Sequence, residues 1–270
     1  MSLVEIPRAA PKVVLFDWHA TLVDTHDAMY HAVDDVLPML HELNLIDRMV
    51  KTEDSKSLDD AQLVKYIREN KRLHPKLKAE RKVSRTDIFQ VLFGNDEEAK
   101  KIIHGAFDNA YRKYFGDVHQ FEDGIEDMLQ ALHDLNLKVG ALTNRNREFM
   151  MHELSVVNKT GWEHFFHTVV CGDDVAKRKP APDQILHALE ELNESPSFSC
   201  WYVGDSTTDI IAAKEAGVTG VFYNGAKWDQ EWINKIFPGT VTHPHRPDAV
   251  VNNFKEFMHL VRLETFAVSE

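Results

Sequence analysis

Cysteine is scarce: Cys171 and Cys200 are the only two in 270 residues. Both sit among apolar neighbours, and their spacing suits neither a metal site nor a disulfide framework, so a structural role in a reducing compartment is expected. Long apolar runs are absent too. No stretch is long enough to span a bilayer, and Met1 to Lys12 is short, mixed and proline-containing, unlike a leader; the expected location is cytoplasmic, with no membrane partner. Basic residues are the minority, with 31 Lys and Arg against 43 Asp and Glu for a net charge of −12. That sign argues against general nucleic-acid binding, which needs a basic face to release counterions. The chain also lacks internal repeats and low-complexity tracts.

What remains is an ordinary globular composition, 43% hydrophobic and 27% charged, long enough for one large domain or a domain with an insertion. The charge is unevenly spread. Between Arg48 and Arg85 the bases, among them Lys51, Lys56, Arg72, Lys76, Lys78, Arg81 and Lys82, outnumber the acids. Most such side chains cover solvated helix surfaces; a local field that attracts an anionic substrate is the sharper reading.

The chain is organised around Val13-Val14-Leu15-Phe16-Asp17-Trp18-His19-Ala20-Thr21-Leu22-Val23-Asp24-Thr25. An apolar run of four ending in an acid reads as a buried strand whose last residue emerges at a mouth, because an interior strand does not shelter a charge. Ala20, Thr21 and Thr25 suit a tight loop whose amides approach a ligand. Asp27 to Leu43 has helical spacing with a break at Pro38. From there to about Phe121 nothing reads as a buried strand: helices are expected over Leu58–Leu73, from Ser84 or Thr86 to Phe93, and over Asp96–Phe115, with a break at His74-Pro75.

Beyond Gly124 the pattern becomes regular alternation. Helices Ile125–Leu135, Arg147–Val156, Asp183–Leu192 and Thr208–Ala216 precede strands Lys138–Leu142, Thr168–Cys171, Cys200–Val203 and Gly220–Tyr223. A last strand near Asp248–Val251 precedes helix Phe254–Leu263. Repeated units of this length imply an α/β fold, a parallel sheet with helices on both faces. The expected division is a core of residues 1–25 and 121–270 with an inserted helical domain, 26–120. Gly225 to Pro247 reads as an irregular connection, and its His243-Pro244-His245 as a surface loop rather than a metal site.

In such a sheet ligands gather where strands end. The polar residues there are Asp17 and His19, Thr143 and Asn144, Lys179 within Lys177-Arg178-Lys179-Pro180, and Gly204-Asp205-Ser206-Thr207-Thr208-Asp209. Asp205 and Asp209 facing Asp17 make an oxygen-rich pocket suited to magnesium. Lys179 would neutralise remaining charge, and a hydroxyl and an amide would hold phosphoryl oxygens. For Asp205 and Asp209, helix capping is the competing explanation.

These four clusters, in this order on alternating units, resemble the four motifs of the haloacid dehalogenase superfamily, with a cap inserted after the first. The resemblance implies a Rossmann-like core and a magnesium-dependent hydrolase acting on a small anionic phosphorylated substrate. By motif position it implies Asp17 as nucleophile, Thr143 or Asn144 as a phosphate contact, and Lys179 as stabiliser of nucleophile and phosphate. Asp17, Asp205, Asp209 and the main-chain carbonyl of His19 become the magnesium side. The departure is His19, where family phosphatases usually carry a second aspartate as acid and base. Histidine can exchange protons near neutrality, and a nearby carboxylate would favour its acid-ready form.

Three readings follow: a phosphatase with His19 as acid and base; cleavage of a carbon–phosphorus bond, since Asp17-Trp18 followed by Ala20-Thr21 resembles the phosphonoacetaldehyde hydrolase branch, with Lys51 or Lys56 placed to form an imine; or a non-catalytic protein that binds a phosphorylated ligand. Carbon–halogen hydrolysis fits less well, because that branch works without magnesium and this chain keeps its acids. The phosphatase is the favoured reading, with contacts to substrate expected from Arg72, Lys76, Lys78, Arg81 or Lys82.

Overall fold

The computed structural model describes residues 7–267, and side chains through residue 263. Residues 1–6, part of the segment read above as unlike a leader, lie outside the described residues. Strands are β1 Val13–Asp17, β2 Val23–Asp24, β3 His119–Gln120, β4 Lys138–Leu142, β5 Thr168–Val170, β6 Cys200–Gly204, β7 Thr219–Tyr223 and β8 Ala249–Val251. Six of them form one parallel sheet in the order β5-β4-β1-β6-β7-β8. The apolar run that opens the chain is thus a central strand, buried along its length. From β1 the chain builds the sheet to one side through β4 and to the other through β6, and the crevice at such a reversal is where open parallel sheets bind ligands.

Alternate residues of each strand face opposite layers. Val13 and Leu15 of β1, with Tyr202 of β6, pack against Ile185, Leu189, Ala212 and Ala213 of helices Asp183–Glu191 and Thr207–Glu215. On the other face Phe16 meets Phe254 and Phe257 edge-on, and Phe257 also meets Trp201. Each such fully buried side chain contributes about 1.5–3 kcal/mol. Register then sets the site. Phe16 is level with Ala141 of β4 and Val203 of β6, so Asp17, Thr143 and Asp205 reach the same end of the sheet.

The chain divides into two compact units, Met1–Asp24 with His119–Glu270, and Thr25–Val118. The two-residue strands β2 and β3 pair antiparallel within the first unit, where the chain leaves it and returns. The second unit is helical, with Val33, Val64, Phe89, Ile103 and Phe107 fully buried in it. Helix His26–Val36 gives way to a 3-10 turn at Leu37–Leu40, where Pro38 has no N–H to continue the ladder. Pro75 starts a helix rather than a break: Pro75–Glu80 uses it at the first turn, where an N–H has no helical partner anyway, and His74 accepts from the Lys76 amide. The last helix of this unit, Glu97–Tyr111, stops short of the expected Phe115.

Several bases of the second unit have acid partners within it. Lys78 pairs with Asp34 at 2.7 Å, Arg81 with Asp27 at 2.7 Å and Arg48 with Asp96 at 2.5 Å, while Lys76 lies 3.8 Å from Glu80. The field expected from this segment is therefore partly cancelled in place. In the first unit a helix stands where an irregular connection was expected. Gln230–Ile236 is capped by Asp229, and Ile233 and Phe237 pack on Phe222. His243 and His245 lie in the loop that follows, His245 against Glu215 at 3.2 Å. No helix among the described residues is long and apolar enough to cross a membrane.

Candidate active site

Strand β1 delivers Asp17 at its carboxyl end, and the chain then turns sharply. The amides of Leu22 and Val23 both donate to the Trp18 carbonyl, and Ala20 adopts a left-handed φ of 60° while its amide donates to the Val23 carbonyl. A small side chain suits that conformation better than a branched one. Asp17 does not emerge as the sequence reading expected: it is 8% exposed. Its charge is sheltered instead by Lys179, itself buried, whose Nζ donates to Asp17 Oδ1 at 2.5 Å, to Asp209 Oδ1 at 2.8 Å and to the Tyr202 hydroxyl at 2.7 Å. All three donor positions of the ammonium are used.

Asp209 is both a capping residue and part of this cluster. Its Oδ2 accepts from the Ser206 amide and hydroxyl at 3.1 and 2.5 Å, closing a capping box on helix Thr207–Glu215. Its Oδ1 takes Lys179 and the Tyr202 hydroxyl. Gly204 makes this packing possible, since a Cβ there would collide with the Asp209 carboxyl carbon. Asp205, next in the chain, is half-buried. One carboxylate oxygen from each of Asp17, Asp205 and Asp209 lies within 4.8 Å of the others.

Three acids around one ammonium leave excess negative charge in a poorly solvated place. Burial, opposed by the Lys179 charge and reinforced by that of Asp209, raises the Asp17 carboxyl to about 7. Burial and the charges of Asp17 and Asp209 push the Asp205 carboxyl well above the usual range. Burial alone would lower the Lys179 ammonium, but the charges of Asp17 and Asp209 outweigh it and raise it. Hard oxygen donors with uncompensated charge are what a small divalent cation requires, so the residues fit magnesium by charge and ligand type.

The second cluster binds the site from the β4 side. Asn144 exchanges two hydrogen bonds with the Lys179 backbone, each 2.9 Å, so its amide braces the lysine loop. The Thr143 hydroxyl lies 3.2 Å from His19 Nδ1 and accepts from the Arg145 amide at 3.1 Å. The other ring nitrogen of His19, Nε2, is 2.7 Å from Glu153 Oε2. That same oxygen accepts from the Trp18 indole at 2.9 Å, and Arg145 lies 3.5 Å from Oε1.

The seven residues singled out in the four clusters, Asp17, His19, Thr143, Asn144, Lys179, Asp205 and Asp209, thus gather at one end of the sheet. Tyr202, Ser206 and Glu153 were missed. Ser206 stands inside the fourth cluster without a role of its own, and Tyr202 lies in the strand that leads to Asp205; Glu153 sits in mid-helix and had no local signal. Lys51 and Lys56 are exposed residues of the other unit, whereas an imine-forming lysine works from a desolvated pocket.

The chain is similar to known proteins in sequence and in fold. The chain is 28% identical over 212 residues to phosphoglycolate phosphatase of Xanthomonas campestris pv. campestris, covering 78% of this chain and 82% of that one. It is 30% identical over 135 residues to pyrophosphatase PpaX of Bacillus pumilus, covering 50% and 56%. A crystal structure of a HAD-superfamily hydrolase from Ehrlichia chaffeensis superposes with a TM-score of 0.53 at 21% identity over 95% of this chain and 98% of that one, a likeness of fold. Residues 14–222 match the family model for haloacid dehalogenase-like hydrolases, a span that contains every residue of the site. With the lysine-bridged acids at the end of its central strand, the chain belongs to the haloacid dehalogenase-like hydrolases.

Proposed function

We propose that this hydrolase is a phosphatase for a small phosphorylated metabolite, with Asp17 as the nucleophile. The observation that carries this reading is Lys179 bridging Asp17 and Asp209 beside Asp205 at the carboxyl end of the central strands. The named activities of its relatives, a phosphoglycolate phosphatase and a pyrophosphatase, support the same class of substrate. Asp17, Asp205, Asp209 and the His19 carbonyl are the residues that would hold magnesium. When bound, the ion supplies charge screening between the attacking carboxylate and the phosphoryl oxygens.

The chain's own residues do the rest. Lys179 holds Asp17 Oδ1 in place and lends positive charge to the phosphoryl group. Asp17 forms a bond to phosphorus as the ester oxygen leaves, and His19 gives that oxygen a proton. In the second half His19 takes a proton from the water that displaces the carboxylate, freeing inorganic phosphate. Asn144 keeps Lys179 aimed by bracing its backbone, and the Thr143 hydroxyl is the candidate phosphoryl contact. The helical unit, Thr25–Val118, is the candidate lid that excludes water before the acyl phosphate forms.

Phosphate release from a panel of phosphomonoesters, with and without magnesium, tests this reading. Turnover of at least one small ester that needs the metal is expected. Binding of such esters without turnover across a wide pH range would instead make the protein a non-catalytic phosphate-ligand binder.

A further inference from the structure

One fully buried carboxylate beside the residues that follow Asp17 is not used by the phosphatase chemistry above. Glu153 is fully buried in helix Arg147–Val156, whose other buried residues, Phe149, Met150 and Leu154, are apolar. An apolar side chain would suit that position for packing, and burying a carboxylate costs several kcal/mol unless donors meet it. Its Oε2 is met by the two residues that directly follow the nucleophile, Trp18 Nε1 at 2.9 Å and His19 Nε2 at 2.7 Å, and its Oε1 by Arg145 at 3.5 Å. Trp18 is fixed in turn, because its indole is fully buried and packs edge-on against Trp162 at 5.8 Å and Phe166 at 6.1 Å.

Glu153 Oε2 already accepts from the Trp18 indole, and the His19 nitrogen that faces it at 2.7 Å is committed to that contact. The ring is then held at two points, Nε2 on Glu153 and Nδ1 beside the Thr143 hydroxyl at 3.2 Å. Thr143 is also the candidate phosphoryl contact, so Nδ1 is the nitrogen on the phosphoryl side. Carboxylates that orient a working histidine through its other nitrogen are a recurring device in hydrolytic sites and metal sites.

We propose that Glu153 is the positioning residue for His19 and that it fixes Nδ1 as the atom that exchanges protons with the substrate. The inference rests on the phosphatase reading and deepens it. In the first step the bond from Asp17 to phosphorus forms, the ester P–O bond breaks, and the proton on Nδ1 goes to the departing oxygen. In the second, Nδ1 takes a proton from water as its oxygen bonds to phosphorus and the bond to Asp17 breaks. Glu153 keeps its position on Nε2 throughout and neither gains nor loses an atom.

Leaving-group dependence separates orientation of an acid from general structural support, because an activated aryl ester departs without a proton and an alkyl ester does not. The test compares the unsubstituted protein, His19→Ala, Glu153→Gln and the double variant on an alkyl monophosphate and on p-nitrophenyl phosphate. Glu153→Gln is expected to lower kcat/KM, which reports the first transfer, about 10- to 100-fold for the alkyl ester and to leave it nearly untouched for the aryl ester, while kcat falls for both through the shared hydrolysis of the acyl phosphate. The double variant should be no slower than His19→Ala alone, as expected of residues acting as one unit.

Equal losses in kcat/KM on both esters, no loss on the alkyl ester, or additive losses overturn the proposal. If His19→Ala loses the alkyl ester and Glu153→Gln does not, the positioning role fails and the phosphatase stands. If the unsubstituted protein turns over neither ester, the phosphatase reading fails and takes this inference with it. Should Glu153→Gln not fold, nitrogen NMR of histidine-labelled native protein decides: a protonated, hydrogen-bonded Nε2 on His19 is expected, and a bare Nε2 contradicts the proposal.

Discussion

On the β6 side of the nucleophile, Asp17, Asp205 and Asp209 share the single ammonium of Lys179. On the β4 side, the single carboxylate of Glu153 meets an indole N–H, an imidazole and a guanidinium. The first group carries more acid than the chain compensates, and the Asp17 and Asp205 carboxyls are raised accordingly; the second is completed with donors from the chain itself. Each centres on fully or nearly fully buried groups, Asp17, Asp209 and Lys179 in the first and Glu153 and Trp18 in the second, so the contrast is chiefly one of charge balance. A buried cluster with excess negative charge should respond to cations and to pH, whereas a self-completed one should respond chiefly to substitution of its members.

The largest effect should come from the group that both clusters surround. Asp17→Asn keeps the shape and removes the attacking charge, and phosphate release should fall by at least about 10⁴-fold. Activity within tenfold of the unsubstituted protein would show that another group attacks.

The next effect is on stability. Lys179→Met strands two buried acids without their cation, and urea unfolding should show a loss of about 3–5 kcal/mol. An unchanged midpoint would mean that solvent already satisfies Asp17 and Asp209.

Metal should act on the unbalanced side alone. The Asp17 carboxyl is raised to about 7 from a usual 3.8, so between those values the folded protein holds a proton that the unfolded chain has released. Without metal, stability should therefore fall as pH rises from about 4 through 7, and the raised Asp205 carboxyl acts in the same direction. At pH 8, magnesium at about 100 times its dissociation constant should raise the melting temperature by about 5 °C. The gain should shrink at pH 5, where protonated carboxyls compete with the ion. An equal gain at both values would break the comparison.

The smallest effect lies just behind the balanced side, at the hydrogen bonds of Trp162, which packs edge-on against Trp18. Glu126 accepts from the Trp162 indole at 2.6 Å and from Asn158 at 2.8 Å, and these two hydrogen bonds hold its carboxyl below the usual range. Its contribution should be complete above the usual carboxylate pKa and fade as pH falls through the lower folded value. Glu126→Gln should cost about 1 kcal/mol in chemical unfolding at pH 7 and less in acid. A cost that grows on acidification would contradict the assignment.

The fold was legible because its signals are local. The apolar run of β1, the alternation after Gly124 and the polar residue behind each strand report the sheet and its binding end. Asp209 shows the limit of choosing between two explanations, since it is a helix cap through Oδ2 and a partner of Lys179 through Oδ1. Glu153 was illegible for a physical reason. In the sequence it is one more acid on an amphipathic helix, and its meaning comes from Trp18, 135 residues away. Helix Gln230–Ile236 was overlooked for a weaker one: its cap, Asp229, and its apolar pair, Ile233 and Phe237, fit helical spacing but lie among glycine, proline and tryptophan.

The central claim is that Asp17 carries the phosphoryl group. Acid quenching of the protein during turnover of a good ester, followed by peptide mass spectrometry, tests it most directly. The account predicts one phosphoryl group on Asp17 itself, and none on the Asp17→Asn protein. Sustained phosphate release with no phosphoryl group on Asp17 at any quench time, and with the substituted protein still active, would contradict it.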